Sequence, residues 1–378
     1  MDSQMKTLGT VATYVNGRAF KPSEWQEYGL PIIRIQNLTD SSAKYNYSSA
    51  EHDERFLVKK GDLLFAWSAS LGAHIWKGEN AWLNQHIFKV IPDEGIDRDY
   101  LYYYLLRVVS DLYAKTHGSG MVHITKGPFM ATKIPVPPLV HQKRIVARIE
   151  ELFSQLDSGV ETLKQIKRQL AVYRQAVLKE AFKEISTYSA FGKITDSRLG
   201  KMLDKEKNTG ISRKYLRNIN VRWFSFDMSD LLEMRIEDDE VEKYSICYGD
   251  LVICEGGEPG RCAVWEKEYT IFYQKALHRV RFLDKSNPKF YMYYLWFSAQ
   301  SGQLSKFFTG TGIKHLTGQS LAKVPVPTTE RIRQDSIVAG IEGKLSVCDT
   351  IEQTVDTALQ QAEAMRQNIL KKAFEGRL

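Results

Sequence analysis

At 378 residues the chain is long enough for two globular domains with further elements. With 43% hydrophobic and 26% charged residues it has the composition of an ordinary folded protein, and no run of about 18 apolar residues is available to span a membrane. Residues 1–10 lack the apolar core of a signal peptide, and the net charge of +7 admits an anionic partner without requiring one.

Taken in chain order, the elements come round twice. Leu30-Pro31-Ile32-Ile33 and Gly61-Asp62-Leu63-Leu64-Phe65 are short apolar runs bounded by turn residues, which predicts strands. Tyr100-Leu101-Tyr102-Tyr103-Tyr104-Leu105 predicts a helix with one face packed inward. Gly118-Ser119-Gly120 is a turn, and Pro135-Val136-Pro137-Pro138 closes a compact α+β domain, since proline cannot continue a helix. Beyond it Ile145, Ile149, Leu152, Leu156, Leu163, Ile166, Leu170, Tyr173 and Val177 recur in steps of mostly three and four, the seam of a coiled coil. Gly159 loosens that seam. Residues 184–197 are small and polar and read as a loop.

The second pass has Gly249-Asp250-Leu251-Val252-Ile253, then Phe290-Tyr291-Met292-Tyr293-Tyr294-Leu295, then Gly310-Thr311-Gly312 and Pro325-Val326-Pro327. Its seam runs Ile337, Ile341, Cys348, Ile351, Val355, Ala358, Ala362, Met365 and Ile369. Arg174 and Arg366, Gln175 and Gln367, and His123 and His315 each stand 192 positions apart. A period this long excludes a solenoid and predicts one large unit built twice. Leu8-Gly9 is taken as the counterpart of Leu199-Gly200. The boundaries expected are 1–138 and 198–328 for the domains, 139–184 and 329–378 for the helices, and 185–197 for a linker. Each apolar helical stripe needs burial, and the other copy's helix is the simplest partner.

Chemistry is hard to find. No P-loop, H-E-x-x-H, G-x-S-x-G or kinase loop occurs, and Gly256-Gly257-Glu258-Pro259-Gly260 is better read as a turn than as a dinucleotide fingerprint. Val136-Pro137-Pro138-Leu139 lacks the polar residue that a base methyltransferase sets before Pro-Pro. The four cysteines, Cys247, Cys254, Cys262 and Cys348, all lie in the second copy without C-x-x-C spacing, so reduced thiols in the cytoplasm are expected and no metal or cofactor site. The paired histidines have no repeated carboxylate or nucleophile near them in sequence.

Binding fits better. Ser119, His123, Thr125 and Lys126, with Thr311, Lys314, His315 and Thr317, surround glycine turns whose amides suit phosphate oxygens. Arg34, Gln36 and Asn37, with Arg217, Asn218, Asn220 and Arg261, are side chains of the type that reads base edges. Each group has a plain structural alternative: turns that only connect, and solvated strand ends.

The ordered set G-D-L-apolar-apolar, G-[ST]-G-x-x-H-[IL]-T, [IV]-P-V-P, I-V-x-x-I-E and a heptad helix ending Ala-Phe, in duplicate over nearly the whole chain, resembles the specificity subunit of type I restriction-modification enzymes. The resemblance implies two target recognition domains joined by two long helices in an antiparallel coiled coil. It implies double-stranded DNA as ligand, read in two halves with an unread spacer. It also implies docking of two methyltransferase subunits and, through them, of restriction subunits. The chain itself is then not an enzyme. Residues 39–60 and 222–248 do not align, so the two halves of the target are expected to differ. The family's P-P-L-x-E-Q phrase has His141 in place of Glu and is weak around Pro327-Thr328-Thr329. A type IIB-like specificity module and a coiled-coil scaffold that binds no DNA stay open on sequence alone.

Overall fold

The second copy begins earlier than the sequence suggests. The computed structural model describes residues 3–40, 42–68, 70–115, 126–204 and 208–378, with the side chains of 110–115 left aside. In it Tyr188–Ala190 pairs antiparallel with Pro325–Pro327, as Gln4–Thr7 pairs with Lys133–Val136 in the first copy. A helical turn follows each, Leu8–Thr10 and Phe191–Ile194, and both Leu8 and Phe191 are fully buried. Gly9 admits Met130 and Gly192 admits Ala322 at the same place in the fold. Phe191-Gly192 is therefore the counterpart of Leu8-Gly9, and the true counterpart of Gly200 is Gly17. The stretch 185–197 holds the first strand and turn of the second frame and the start of its next strand. Its polar composition hid this, because pairing with a distant Pro-Val-Pro strand leaves no local signal.

The chain forms two units, residues 1–164 with 356–378, and residues 165–355. In the first unit Ala12–Asn16, Ile87–Pro92, Leu63–Ala66 and Gly72–Ile75 lie side by side in that order. In the second unit Thr195–Leu199, Leu277–Phe282, Leu251–Cys254 and Cys262–Val264 repeat that order. A second sheet also recurs: Asn46–Ser48, Leu30–Ile33, Ala81–Leu83 and Leu57–Val58, matched by Leu232–Ile236, Ile211–Leu216, Ile271–Tyr273 and Ser245–Ile246. Each of these second sheets has one parallel pair among antiparallel ones. The central strands read as unbroken apolar runs because both their faces are covered. Leu63 and Phe65 enter one core while Leu64 enters another, and Leu251 and Ile253 alternate in the same way with Val252 and Cys254. These features make an α+β fold built twice in one chain.

Two helices of 44 residues, Leu139–Phe182 and Arg331–Phe374, complete the units. In the first unit Phe374, at the end of the second long helix, packs edge-on against Tyr100 and Tyr104 at 5.1 and 5.0 Å. In the second unit Phe182, at the end of the first long helix, does the same to Phe290 and Tyr294 at 5.4 and 5.3 Å. Within the second unit Glu184 meets Arg333 while Arg174 meets Asp349 and Glu352, so the helices run antiparallel there. Within the first unit Arg366 pairs with Asp157 and covers the ring of Phe153 at 4.5 Å, while Leu370 shares a core with Ile149.

The seam is not quite the predicted one. Ile149, Leu170, Ile341 and Val355 are buried, and Leu152, Leu156, Leu163, Ile166 and Ile369 are half-buried. Ile351 is 40% exposed, Met365 54% and Tyr173 50%. The slots sought at Ile351 and Met365 belong to their neighbours Glu352 and Arg366. An apolar tracing missed them because the interface there consists of interhelical ion pairs, with Arg174 reaching Asp349 at 2.6 Å and Glu352 at 2.7 Å. The buried line on the second helix runs Val338, Ile341, Leu345, Cys348, Val355, Ala362 and Leu370.

The phrase at each helix start does survive in its structural part. Gln142 and Gln334, both buried, occupy equivalent places. Gln142 accepts from the Asp97 amide at 2.8 Å and donates to the carbonyls of Gly95 and Pro137. Gln334 accepts from the Asn287 amide at 2.7 Å and donates to Thr329 O and Ser286 Oγ. Each glutamine ties the start of a long helix to the loop before an aromatic helix. Gln142→Leu keeps the volume but strands three backbone groups, and should cost about 2 kcal/mol or more in urea unfolding, against a near-neutral change on Lys143→Ala at the exposed position next to it.

Candidate nucleic-acid interface

In the second unit three chain segments meet at one end of the sheets. The first is the turn Asn218–Asn220 after strand Ile211–Leu216. The second is the connection between Leu251–Cys254 and Cys262–Val264, and the third is the segment 309–317. Asn218 donates its amide to the Gly256 carbonyl. Arg261 donates to the Asn218 carbonyl at 3.0 Å and to Glu258 at 3.1 Å. A Cβ on Gly256 would stand 3.0 Å from His315 Nδ1, and Leu316 donates its amide to the Glu255 carbonyl at 2.6 Å. The sequence-distant candidates Asn218, Arg261, Lys314 and His315 are thus brought to one edge.

The third segment is a tight loop. Thr309 and His315 exchange both backbone hydrogen bonds, and Gly310 sits at φ 94°, a region open to glycine. Lys314 curls back to the Gly310 carbonyl at 2.8 Å, and Thr311 and Lys314 are exposed. His278 holds the loop from below, with its Nε2 3.1 Å from the Leu316 carbonyl. Burial keeps the His278 ring below the usual histidine range, so near neutrality it is an uncharged donor to that carbonyl.

Several predicted readers turn out to be framework. Asn37 and Asn220 are buried. Asn37 accepts from the Arg34 amide at 3.0 Å and donates to the carbonyls of Ala43 and Lys44. Asn220 accepts from the Arg217 amide at 2.9 Å and donates to the carbonyls of Asp227 and Asp230. An amide spent on three backbone groups has nothing left for a base edge. Arg217 is held by Asp230, both at its carboxylate and at its carbonyl, and Arg261 serves the loop. Thr317 caps the one-turn helix Gly318–Ala322 by accepting from the Ser320 amide. Polar type alone does not separate the two roles, because capping and reading use the same side chains.

The first unit repeats the turn. Arg34 ends strand Leu30–Ile33 with its guanidinium 5.4 Å from the Trp25 ring, and Gln36 is exposed on the one-turn helix Ile35–Thr39. Lys126 is exposed at the start of the short helix Lys126–Met130. Ser119, His123 and Thr125 lie outside the described residues. Sequence reading overlooked Trp223, whose indole donates to Glu258 at 2.6 Å and so couples the hairpin Val221–Phe226 to the 255–261 loop. Among the described residues no cluster of three or more metal-binding side chains occurs, and no helix is long and apolar enough to cross a membrane. Burial raises the thiol pKa of Cys254 to about 11 and raises that of Cys262 as well, which does not suit a nucleophile.

Comparison with known proteins joins this geometry to a family. A family model described as the type I restriction modification DNA specificity domain matches residues 1–171. The type I restriction enzyme EcoBI specificity subunit of Escherichia coli is 26% identical over 98% of this chain and 85% of its own length. The MjaVIII specificity subunit of Methanocaldococcus jannaschii is 22% identical over 100% of this chain and 93% of its own. Among solved structures, a chain from a study of assembly and conformational transition of the type I R-M system has a TM-score of 0.78. It is 18% identical and matches over 100% of this chain and 98% of its own. The HsdS subunit from Thermoanaerobacter tengcongensis has a TM-score of 0.59 at 18% identity, over 100% of this chain and 97% of its own. The duplicated frame and the paired long helices go with these likenesses: residues 1–171 match a type I restriction modification DNA specificity domain, and over nearly its whole length the chain is similar to type I restriction enzyme specificity subunits.

Proposed function

We propose that this chain selects the DNA target of a type I restriction-modification complex. It reads a bipartite, asymmetric duplex sequence, one half with each unit. The observation that carries the asymmetry is one frame with unlike edges. After Ile33 the first unit has a single helical turn, whereas after Leu216 the second has a turn and a hairpin. Gln36 and Arg34 in the first unit, and Asn218 and His315 in the second, are the base-edge candidates. Lys126, Lys314 and Thr311 are the phosphate candidates.

The long helices set the spacer between half-sites and give a docking surface to two methyltransferase subunits, after which restriction subunits join. The chemistry resides in those partners, and the complex works in the cytoplasm. We place the recognition domains at 1–138 and, because Tyr188–Ala190 opens the second frame, at 188–328 rather than 198–328.

Co-expression with the cognate methyltransferase, followed by methylation mapping, should return a non-palindromic motif in two parts. A single palindrome would sink the asymmetric reading. With the purified complex, affinity should fall steeply with salt. Lys314→Ala should lower the salt slope by about one. His315→Ala should cost about 1–3 kcal/mol on the intact target and nothing once the second half-site is scrambled. An equal loss on both duplexes would reassign His315 to the fold.

A further inference from the structure

Each unit has a groove between its aromatic helix and its part of the helix pair, and the two grooves have equivalent walls. Tyr103, Asp157 and Arg366 line the first. Tyr293, Asp349 and Arg174 line the second. The grooves differ in what fills them. In the second unit the chain's own hairpin enters with Phe224, whose ring lies 5.4 Å from Tyr293 and edge-on to Trp296 at 4.7 Å. Phe224 is at φ 68°, a left-handed backbone that a residue with a Cβ rarely adopts, so the aromatic contact has enough stabilisation to hold a disfavoured turn. The cavity left beside it is about 400 Å³. In the first unit, among the described residues, the turn Ile35–Thr39 follows Leu30–Ile33 with no counterpart of the hairpin Val221–Phe226, and the cavity is about 940 Å³. Leu106 stands there where the second unit has Trp296.

The rim fixes the character of the occupant. Glu150, Asp157 and Glu363 face the open groove with Arg366. Three carboxylates to one guanidinium repel a phosphate backbone and favour a cation beside an apolar group. The plug of the second unit carries Arg222 two residues before Phe224, paired with Asp227 at 3.6 Å in the same hairpin segment.

We propose that the open groove of the first unit seats an aromatic side chain, flanked by a basic residue, from a partner protein. The second unit supplies its own occupant and needs none. This concerns protein docking and holds whether or not either unit reads DNA, so its failure would leave the target-reading proposal untouched.

The probe is a cyclised hairpin peptide with the sequence of residues 220–227, titrated calorimetrically into the full-length chain. The wild type should bind one equivalent. Peptides with Phe224→Ala or Arg222→Glu should bind at least tenfold more weakly. Ser154→Trp, at an exposed position on the groove wall, should lose the site without a change in melting temperature. Phe224→Ala in the protein should open the second groove and raise the stoichiometry to two. The proposal is overturned if the wild type binds no peptide, if the Phe224→Ala peptide binds equally well, or if folded Ser154→Trp protein binds as the wild type does. Should Ser154→Trp not fold, the peptide series and the stoichiometry of the Phe224→Ala protein decide the matter alone.

Discussion

Val355→Asp should lower the unfolding free energy by about 4 kcal/mol or more, while Ile351→Asp, one turn earlier on the same helix, should change it by less than about 0.5 kcal/mol. Val355 is 4% exposed and Ile351 is 40% exposed. A carboxylate at 355 would lose its hydration with no partner supplied, whereas one at 351 stays in water. Chemical denaturation of the two variants checks this directly. A large loss at 351 would restore the register expected from apolar spacing and remove the ion-paired one described above. Cys348 and Leu345, buried on the same line, give further positions for the same contrast.

A second large effect is expected at two glycines that no apolar pattern marks. Gly17→Ala would set a Cβ 2.0 Å from the Asn84 carbonyl oxygen, and Gly200→Ala would set one 2.3 Å from that of Gln274. These neighbours are backbone inside a strand crossing, where Arg18 and Lys201 donate their amides to Leu83 and Tyr273 at 2.9 and 3.0 Å. The clash cannot be relieved by turning a side chain. Lys201 is in addition buried against Glu237 and Glu240, which hold the strand in place. Either substitution should cost about 3 kcal/mol or more, read as a lower denaturation midpoint with an unchanged slope. Gly159→Ala, with open space around its Cβ on an exposed helix face, should instead stabilise by about 0.5–1 kcal/mol.

Much of the frame was legible from the chain because its strongest signals repeat. Gly-Asp-Leu strands, Tyr-rich helices, Pro-Val-Pro stops and heptads each have a period or a breaker with a physical meaning. What escaped was non-local. Tyr188–Ala190 is a strand only because Pro325–Pro327 lies beside it. Glu352 and Arg366 belong to the helix interface only because Arg174 and Asp157 stand opposite. Residue type picked out Asn218, Arg261 and His315, which the fold brings to one edge, yet type could not separate a reader from a brace. Asn37 and Asn220 have the right chemistry for a base edge and spend it on their own turns.

The division of the chain into units also affects the order in which a ribosome can finish them. Residues 165–355 are one continuous stretch, so the second unit has all its parts once Val355 has been made. The first unit still lacks Leu370, Ala373 and Phe374 then, although these belong to the same core as Leu8 and Tyr100. Nascent domains generally fold from the N-terminus onward. Here the stretch begun first is completed last, and until it is, the faces of Tyr100 and Tyr104 that Phe374 covers stay open to water and to chaperones.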